Sequence, residues 1–86
     1  MYLEILTPVK TVFSGEVDLV KVPGSKGSFE VLSNHAPIIS TLENGPLKII
    51  TSKKETMMFT VDSGVVQVVD NKIIILVESL LEEQMQ

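Results

Sequence analysis

Residues 65–77, VVQVVDNKIIILV, give the clearest indication of the fold. Two runs rich in β-branched residues flank Asp70 and Asn71, and both of these residue types tolerate a positive φ angle. Apolar runs joined by such a two-residue loop are the pattern of a tight antiparallel β-hairpin. The sequence therefore predicts two neighbouring strands here, at residues 65–69 and 72–77.

Both faces of this predicted hairpin are apolar. In its first strand Val65 and Val69 share one face, Val66 and Val68 share the other, and only Gln67 is polar. A strand in a two-layer sandwich needs only one apolar face. Either strands cross between the layers, or a partner covers an outer apolar face. The excess falls on several neighbouring strands, which favours the partner.

Frequent turn-forming residues divide the rest of the chain into short pieces that are typical of an all-β protein. The sequence predicts further strands at residues 3–7, 10–13, 16–22, 28–32, 47–51 and 56–61. Short strands at this spacing indicate a sandwich or a barrel. The last residues, LLEEQMQ at 80–86, favour a helix but are too few for a stable one, so we expect a short frayed turn.

Composition and charge narrow the classes of function. A chain of 86 residues is one domain. The net charge is −4 and the basic residues form no patch, so we expect no binding to nucleic acid. The absence of cysteine excludes disulfides, thiolate metal sites and cysteine nucleophiles. The longest apolar run, residues 73–77, is far shorter than the roughly 20 residues of a membrane helix.

The only histidine, His35, lies in SNHAPIIST at residues 33–41. Ser33 or Ser63 as nucleophile and Asp62 could complete a catalytic set with His35, but most sequences hold these residue types. D-S-G is the pattern of a tight turn, not of a nucleophile elbow. One histidine without cysteine leaves only carboxylates to complete a zinc shell. We therefore expect no catalytic site, no metal and no cofactor. His35 contacts a partner or bonds to the backbone of its own turn.

A longer segment, VPGSKGSFEVLSNHAPIISTLENGPLKI at residues 22–49, resembles the epsilon subunit of the bacterial F-type ATP synthase. The matching features are the G-x-x-G turn at Gly24 and Gly27, the aromatic Phe29, and V-L-x-N-H-A-P; the stretch P-x-x-x-x-F-S-G at residues 8–15 also matches. The resemblance implies an all-β, two-layer antiparallel β-sandwich of about ten short strands. It also implies a non-catalytic subunit of the rotor's central stalk, which couples proton or ion translocation to ATP synthesis.

The resemblance further implies two contact surfaces. The expected contacts to the membrane c-ring are Gly27, Ser28, Phe29 and Glu30, and those to the gamma subunit are Thr7, His35, Ala36, Pro37, Ile38 and Ser40. Glu30 stands where the family often has Gly, and Ser33 where it often has Pro. The implied location is the cytoplasmic face of the bacterial inner membrane, peripheral and held through the complex, with no direct insertion into lipid.

Full epsilon subunits carry a C-terminal helical hairpin, and this sequence stops at Gln86, where that hairpin would begin. We divide the chain into a sandwich domain at residues 1–79 and a tail at 80–86, which is a remnant of the hairpin or a stub before it. Because the tail is short and holds no Arg or Lys, we expect no autoinhibitory helix and no nucleotide binding. The alternative is a generic small β-sandwich that binds a carbohydrate or peptide. Sugar-binding surfaces rely on exposed aromatic rings, and this chain has no Trp, one Tyr and three Phe.

Overall fold

The computed structural model describes the backbone of residues 1–85 and the side chains of residues 1–80. All of its regular elements are strands. In chain order they are β1 (Tyr2–Leu6), β2 (Thr11–Val22), β3 (Phe29–Leu32), β4 (Ile38–Leu42), β5 (Gly45–Thr51), β6 (Thr56–Val61), β7 (Gly64–Val69), β8 (Lys72–Val77) and β9 (Leu80–Met85).

The strands form one curled sheet in the order β4-β7-β8-β1-β2-β5-β6-β9, with β3 paired to β2. The curl folds this sheet into two layers. We call these two layers the first sheet and the second sheet. The first sheet contains β4, β7, β8, β1 and the first part of β2. The second sheet contains the rest of β2 with β3, β5, β6 and β9. The β-sandwich predicted from the sequence is confirmed.

The core lies between the two layers and follows the alternation of each strand. In β8, Ile73, Ile75 and Val77 are buried, and in β5 Leu47 and Ile49 are buried. Alternate residues of a strand point to opposite sides, so one side of each strand fills the core. Each fully buried aliphatic side chain contributes roughly 1.5–3 kcal/mol relative to leaving it in water. This layer of aliphatic residues fixes which side of each strand faces out.

Strand β2 is longer than predicted. Residues 10–13 and 16–22 were expected as two strands separated at Gly15, whereas Gly15 lies within one strand, opposite Leu3 of β1. A register shift between Val17 and Leu19 marks the point where β2 turns from the first sheet into the second. The merging of these two pieces is one reason why the structure has nine strands instead of about ten.

One pair of strands departs from the antiparallel expectation. β1 runs parallel to β8, from Tyr2 opposite Lys72 to Leu6 opposite Leu76. These strands are far apart in sequence, and a parallel pair needs a long connection instead of a tight turn. Local turn signals report only hairpins, so this pairing left no mark in the sequence pattern.

The frayed turn predicted for residues 80–86 is corrected. The backbone of Leu80–Met85 forms β9, which pairs with β6 from Met57 opposite Met85 to Val61 opposite Leu80. The local composition favours a helix, but the edge of β6 offers unpaired backbone groups to any extended segment beside it. A non-local pairing therefore overrides the local preference. Gln86 lies outside the described residues.

Gly64 tests the packing of the β7–β8 pair. A Cβ atom at this position would lie 2.1 Å from the carbonyl oxygen of Leu76, which is backbone and cannot rotate away. We expect Gly64→Ala to lower the free energy of unfolding by about 3 kcal/mol, measured by urea titration. The neighbouring exposed Ser63 gives the control, and Ser63→Ala should change it by less than about 0.5 kcal/mol. Equal stability of the two variants would contradict the close approach.

Candidate docking surface

The first sheet carries exposed apolar side chains on its outward side. We call this surface the outer face and define it by Leu6, Ile39, Val65, Val69, Ile74 and Leu76. Ile39 is 72% exposed and Leu76 is 51% exposed, which are high values for side chains within strands. They point outward because the alternate residues of the same strands, such as Ile75 in β8, fill the core.

Strand register makes the outer face continuous. Val65 lies opposite Leu76, and Leu76 lies opposite Leu6, so three apolar residues form a row across β7, β8 and β1. Directly opposed side chains have Cβ atoms about 4.5–5.5 Å apart and therefore touch. Ile39 and Ile74 belong to the adjacent row, with Gln67 between them. The apolar residues are thus neighbours on one surface.

Charged groups mark one end of the outer face. Lys72 Nζ lies 3.7 Å from Glu4 Oε1 and 5.9 Å from the centroid of the Tyr2 ring. Lys72 is about half exposed, so this ion pair contributes little to stability. Charges at the rim of an interface act mainly on orientation and on the rate of encounter.

Two shallow grooves border the outer face. One, of about 420 Å³, is lined by Pro37, Ile38, Ile39, Gln67, Val68 and Val69. The other, of about 350 Å³, lies at the far end of the same sheet and includes Leu6, Thr7, Val65 and Leu76. The expected gamma contacts Pro37 and Ile38 line the first groove, and the expected contact Thr7 lines the second.

The expected gamma contacts are not all neighbours. His35 precedes β4 at the end of the sheet where Val69 lies opposite Lys72, whereas Thr7 follows β1 at the end where Gly64 lies opposite Val77. Three strand spacings, roughly 14 Å, separate β4 from β1 across the sheet. His35 and Thr7 therefore stand at opposite corners of the outer face, and a partner would have to span the sheet to reach both.

The neighbouring residues Ile38 and Ile39 point to opposite sides of β4. Ile38 is half-buried and packs against the core, whereas Ile39 points outward. Ser40 is half-buried, and its hydroxyl donates a hydrogen bond to the carbonyl oxygen of Thr41 at 3.2 Å. Among the expected gamma contacts, Ala36 and Pro37 are exposed. The structure thus adds Ile39, a large hydrophobic residue that is 72% exposed and that the sequence did not single out.

His35 is bonded within its own turn. Its Nδ1 lies 2.8 Å from the carbonyl oxygen of Ala36. A carbonyl oxygen can only accept, so Nδ1 carries the hydrogen and donates it, which leaves Nε2 as the acceptor nitrogen. The local bonding considered from the sequence is confirmed. A contact between the half-buried ring and a partner stays a prediction.

The expected c-ring contacts follow a tight turn at residues 24–27. The amide of Gly27 donates to the carbonyl oxygen of Gly24 at 3.0 Å, and Gly27 has φ of 123°, a conformation that favours glycine. Ser28 and Glu30 are exposed, whereas Phe29 is half-buried and packs against the core. Phe29 and Glu30 begin β3, so the expected contacts span the end of the turn and the start of a strand, and their outward surface is polar.

The expected c-ring loop and the expected gamma segment border the same groove. This groove, of about 660 Å³, is lined by residues 24–29 on one side and 38–41 on the other. Two hydrogen bonds hold the sides together: the Ser25 amide donates to the Thr41 carbonyl oxygen at 3.0 Å, and the Thr41 hydroxyl donates to the Ser25 hydroxyl at 2.9 Å. The two surfaces inferred from the sequence thus adjoin along β4.

The residue types considered for catalysis lie in separate turns. His35 follows β3, whereas the Asp62 carboxylate accepts a hydrogen bond from the amide of Ser63, between β6 and β7. Among the described residues no group of three or more His, Cys, Asp and Glu side chains could hold a metal ion. Nor does any helix long and apolar enough to cross a bilayer occur in that part of the chain.

The chain was compared with known proteins. The family model for the ATP synthase Delta/Epsilon chain, β-sandwich domain, matches residues 1–83. A relative from Chlorobium limicola, named ATP synthase epsilon chain, is 38% identical over 78 residues, covering 91% of this chain and 89% of its own. One of the same name from Caulobacter vibrioides is 35% identical over 82 residues, with 95% and 94% covered. The Leptospira interrogans relative is 41% identical over 76 residues, but this chain spans only 59% of its length.

Two solved structures share the fold. A chain of the Euglena gracilis mitochondrial ATP synthase, in a structure of OSCP, F1 and c-ring, gives a TM-score of 0.83 at 18% identity; the match covers 96% of this chain and 51% of that one. A chain of the Tetrahymena thermophila mitochondrial ATP synthase central stalk and c-ring gives 0.80 at 24% identity, covering 95% and 66%. The fold is thus that of a small β-sandwich found in ATP synthase assemblies. With 83 matched positions and relatives above 30% identity, the chain belongs to the ATP synthase Delta/Epsilon chain family.

Proposed function

We propose that this chain is the epsilon-type rotor subunit of an F-type ATP synthase. In this proposal the outer face docks on the gamma subunit, and the segment at residues 27–30, which leads into β3, docks on the c-ring. The observation that carries the proposal is the exposed apolar outer face, which includes Ile39, Val65 and Leu76. By joining stalk to ring, the chain would help to couple ion translocation to ATP synthesis without itself making or breaking bonds.

An apolar sheet face of this kind is typical of a surface that a partner covers. Contiguous apolar patches on soluble domains mark interaction sites or aggregation-prone surfaces. The relatives named ATP synthase epsilon chain support a partner within that enzyme, and the Tetrahymena match comes from a central stalk and c-ring structure. The gamma subunit is therefore the partner that we assign to the outer face.

The c-ring contact would be of a different kind. Ser28 and Glu30 are exposed and polar: Ser28 follows the turn at residues 24–27, and Glu30 lies at the start of β3, opposite Lys21 of β2. A polar surface suits the polar loops of a membrane ring, where hydrogen bonds and exposed ion pairs contribute modestly. Docking on gamma would then be strong and apolar, and docking on the ring would be weaker and polar.

The remaining properties follow from this role. The assignment is to a non-catalytic subunit that binds no nucleotide and inserts nothing into lipid. An ATP synthase chain belongs to a membrane-associated complex. We place this chain at the cytoplasmic face of a bacterial inner membrane, where the gamma subunit and the ring hold it.

Ile39 tests the outer face directly. We expect Ile39→Asp to weaken binding to the isolated gamma subunit by at least about ten-fold, since a charge would replace the most exposed large apolar side chain of the outer face. Isothermal titration calorimetry gives the dissociation constant. The matched control is Leu32→Asp, because Leu32 is 51% exposed but lies on the second sheet. It should change affinity by less than about two-fold. Equal losses in both variants, or a loss only with Leu32→Asp, would contradict the assignment.

Ser28 tests the ring contact. The chain has no cysteine, so Ser28→Cys supplies a single thiol in the exposed c-ring loop. In the assembled enzyme this thiol should form a disulfide with a cysteine placed in a polar loop of the c-ring, detected as a shifted band on a non-reducing gel. Ser52→Cys, at the exposed β5–β6 turn, should form none. Cross-linking from Ser52 but not Ser28 would show that the other end of the sandwich meets the ring.

A further inference from the structure

Asn71 joins three segments of the chain at one corner of the first sheet. It lies in the turn between β7 and β8, where Asp70 and Asn71 have φ angles of 50° and 62°. Its side-chain oxygen Oδ1 accepts a hydrogen bond from the amide of Asn34 at 2.8 Å. Its backbone carbonyl oxygen accepts another from the amide of Tyr2 at 3.2 Å. One residue thus links the β7–β8 turn to the start of β1 and to the loop before β4.

Among the described residues, the loop at residues 33–37 makes few other hydrogen bonds. The amide of His35 donates to the carbonyl oxygen of Leu32 at 3.1 Å, and His35 Nδ1 donates to Ala36, so both of these bonds are local. Within the part of the chain that the structure describes, the bond from Asn34 to Asn71 is the one hydrogen bond that joins this loop to a distant strand pair. Without it, the loop would be held mainly through its chain ends.

The position of this bond matters because the loop borders the outer face. Pro37 and Val69 line the same groove, and Val69 comes immediately before the turn that holds Asn71. The bond therefore fixes the distance between the loop and the edge of the outer face. A partner that contacts both would meet them in one prepared arrangement, which lowers the entropy cost of binding.

We propose that Asn71 is a positioning residue for docking: it holds the loop at residues 33–37 in the geometry that the gamma subunit binds. This inference rests on the proposed function. Asn71 itself need not touch the partner, since it acts through the Asn34 amide.

The turn alone does not explain the side chain. A residue with positive φ is most often Gly, Asn or Asp, and Gly meets that demand with no side chain at all. Only Asn and Asp also place an oxygen acceptor close to the backbone. The role of the acceptor can therefore be separated from the role of the turn conformation.

The experiment compares substitutions within this one turn. Asn71→Gly keeps the positive φ and removes the acceptor, whereas Asp70→Gly puts the same residue one position earlier, where the side chain makes none of the described hydrogen bonds. The double variant Asp70→Asn with Asn71→Asp restores an acceptor at residue 71 and leaves the net charge unchanged. Each is measured twice, by calorimetry with gamma and by ¹⁵N relaxation of the amides at residues 34–36.

We expect Asn71→Gly to weaken gamma binding roughly 3- to 10-fold, the size of one lost hydrogen bond, and to increase the motion of residues 34–36. Asp70→Gly and the double variant should bind within about two-fold of the starting protein and keep the loop ordered. Unchanged affinity with Asn71→Gly, or an equal loss with Asp70→Gly, would overturn the role of Asn71 while leaving the proposed function intact. If the starting protein fails to bind gamma, the proposed function falls, and the docking role of Asn71 with it.

Discussion

A single strand that pairs in both layers sets the geometry on which the rest of the structure depends. β2 pairs with β1 through its first part and with β3 and β5 through its second part, and it turns between the sheets near Val17. Because the same backbone belongs to both layers, the two sheets cannot slide or rotate independently. The core between them is then fixed, and so is the outward side of every strand. The outer face is a consequence of that constraint.

The apolar residues of the outer face do not stabilise the isolated domain, but they favour its assembly with a partner. Exposed apolar residues such as Ile39 and Leu76 add no folding free energy to the isolated domain, because they stay in contact with water. They become favourable only when a partner removes them from water, at roughly 25 cal/mol for each Å² of apolar area buried. A domain with a rigid core can present such a face without rearranging, so little of the binding energy is lost in ordering it. The loop at residues 33–37 borders the outer face, and its hydrogen bond to Asn71 likewise holds it in one arrangement before a partner binds.

The sequence predicted the sandwich, the β7–β8 hairpin and the apolar excess on both faces of β7, because each of these is written in local alternation and in turn residues. It did not reveal β4, since Pro37 and the polar Ser40 and Thr41 obscure the alternation there, and so Ile39 was missed. Nor did it reveal β9 or the parallel β1–β8 pair, since both depend on pairing between distant segments. The residues of the two docking segments came from the resemblance. Only the fold shows that the two segments share a groove and that His35 and Thr7 stand at opposite corners of the outer face.

In the proposed docking, the gamma subunit covers the outer face and leaves the second sheet in water. Methyl NMR of the chain, labelled at Ile, Leu and Val and mixed with a soluble paramagnetic agent, measures this directly, with and without gamma. We expect the methyl signals of Ile39, Val65 and Leu76 to lose their paramagnetic broadening when gamma binds, while those of Leu32 keep it. Protection centred on Leu32, with Ile39 and Leu76 still broadened in the complex, would contradict the account.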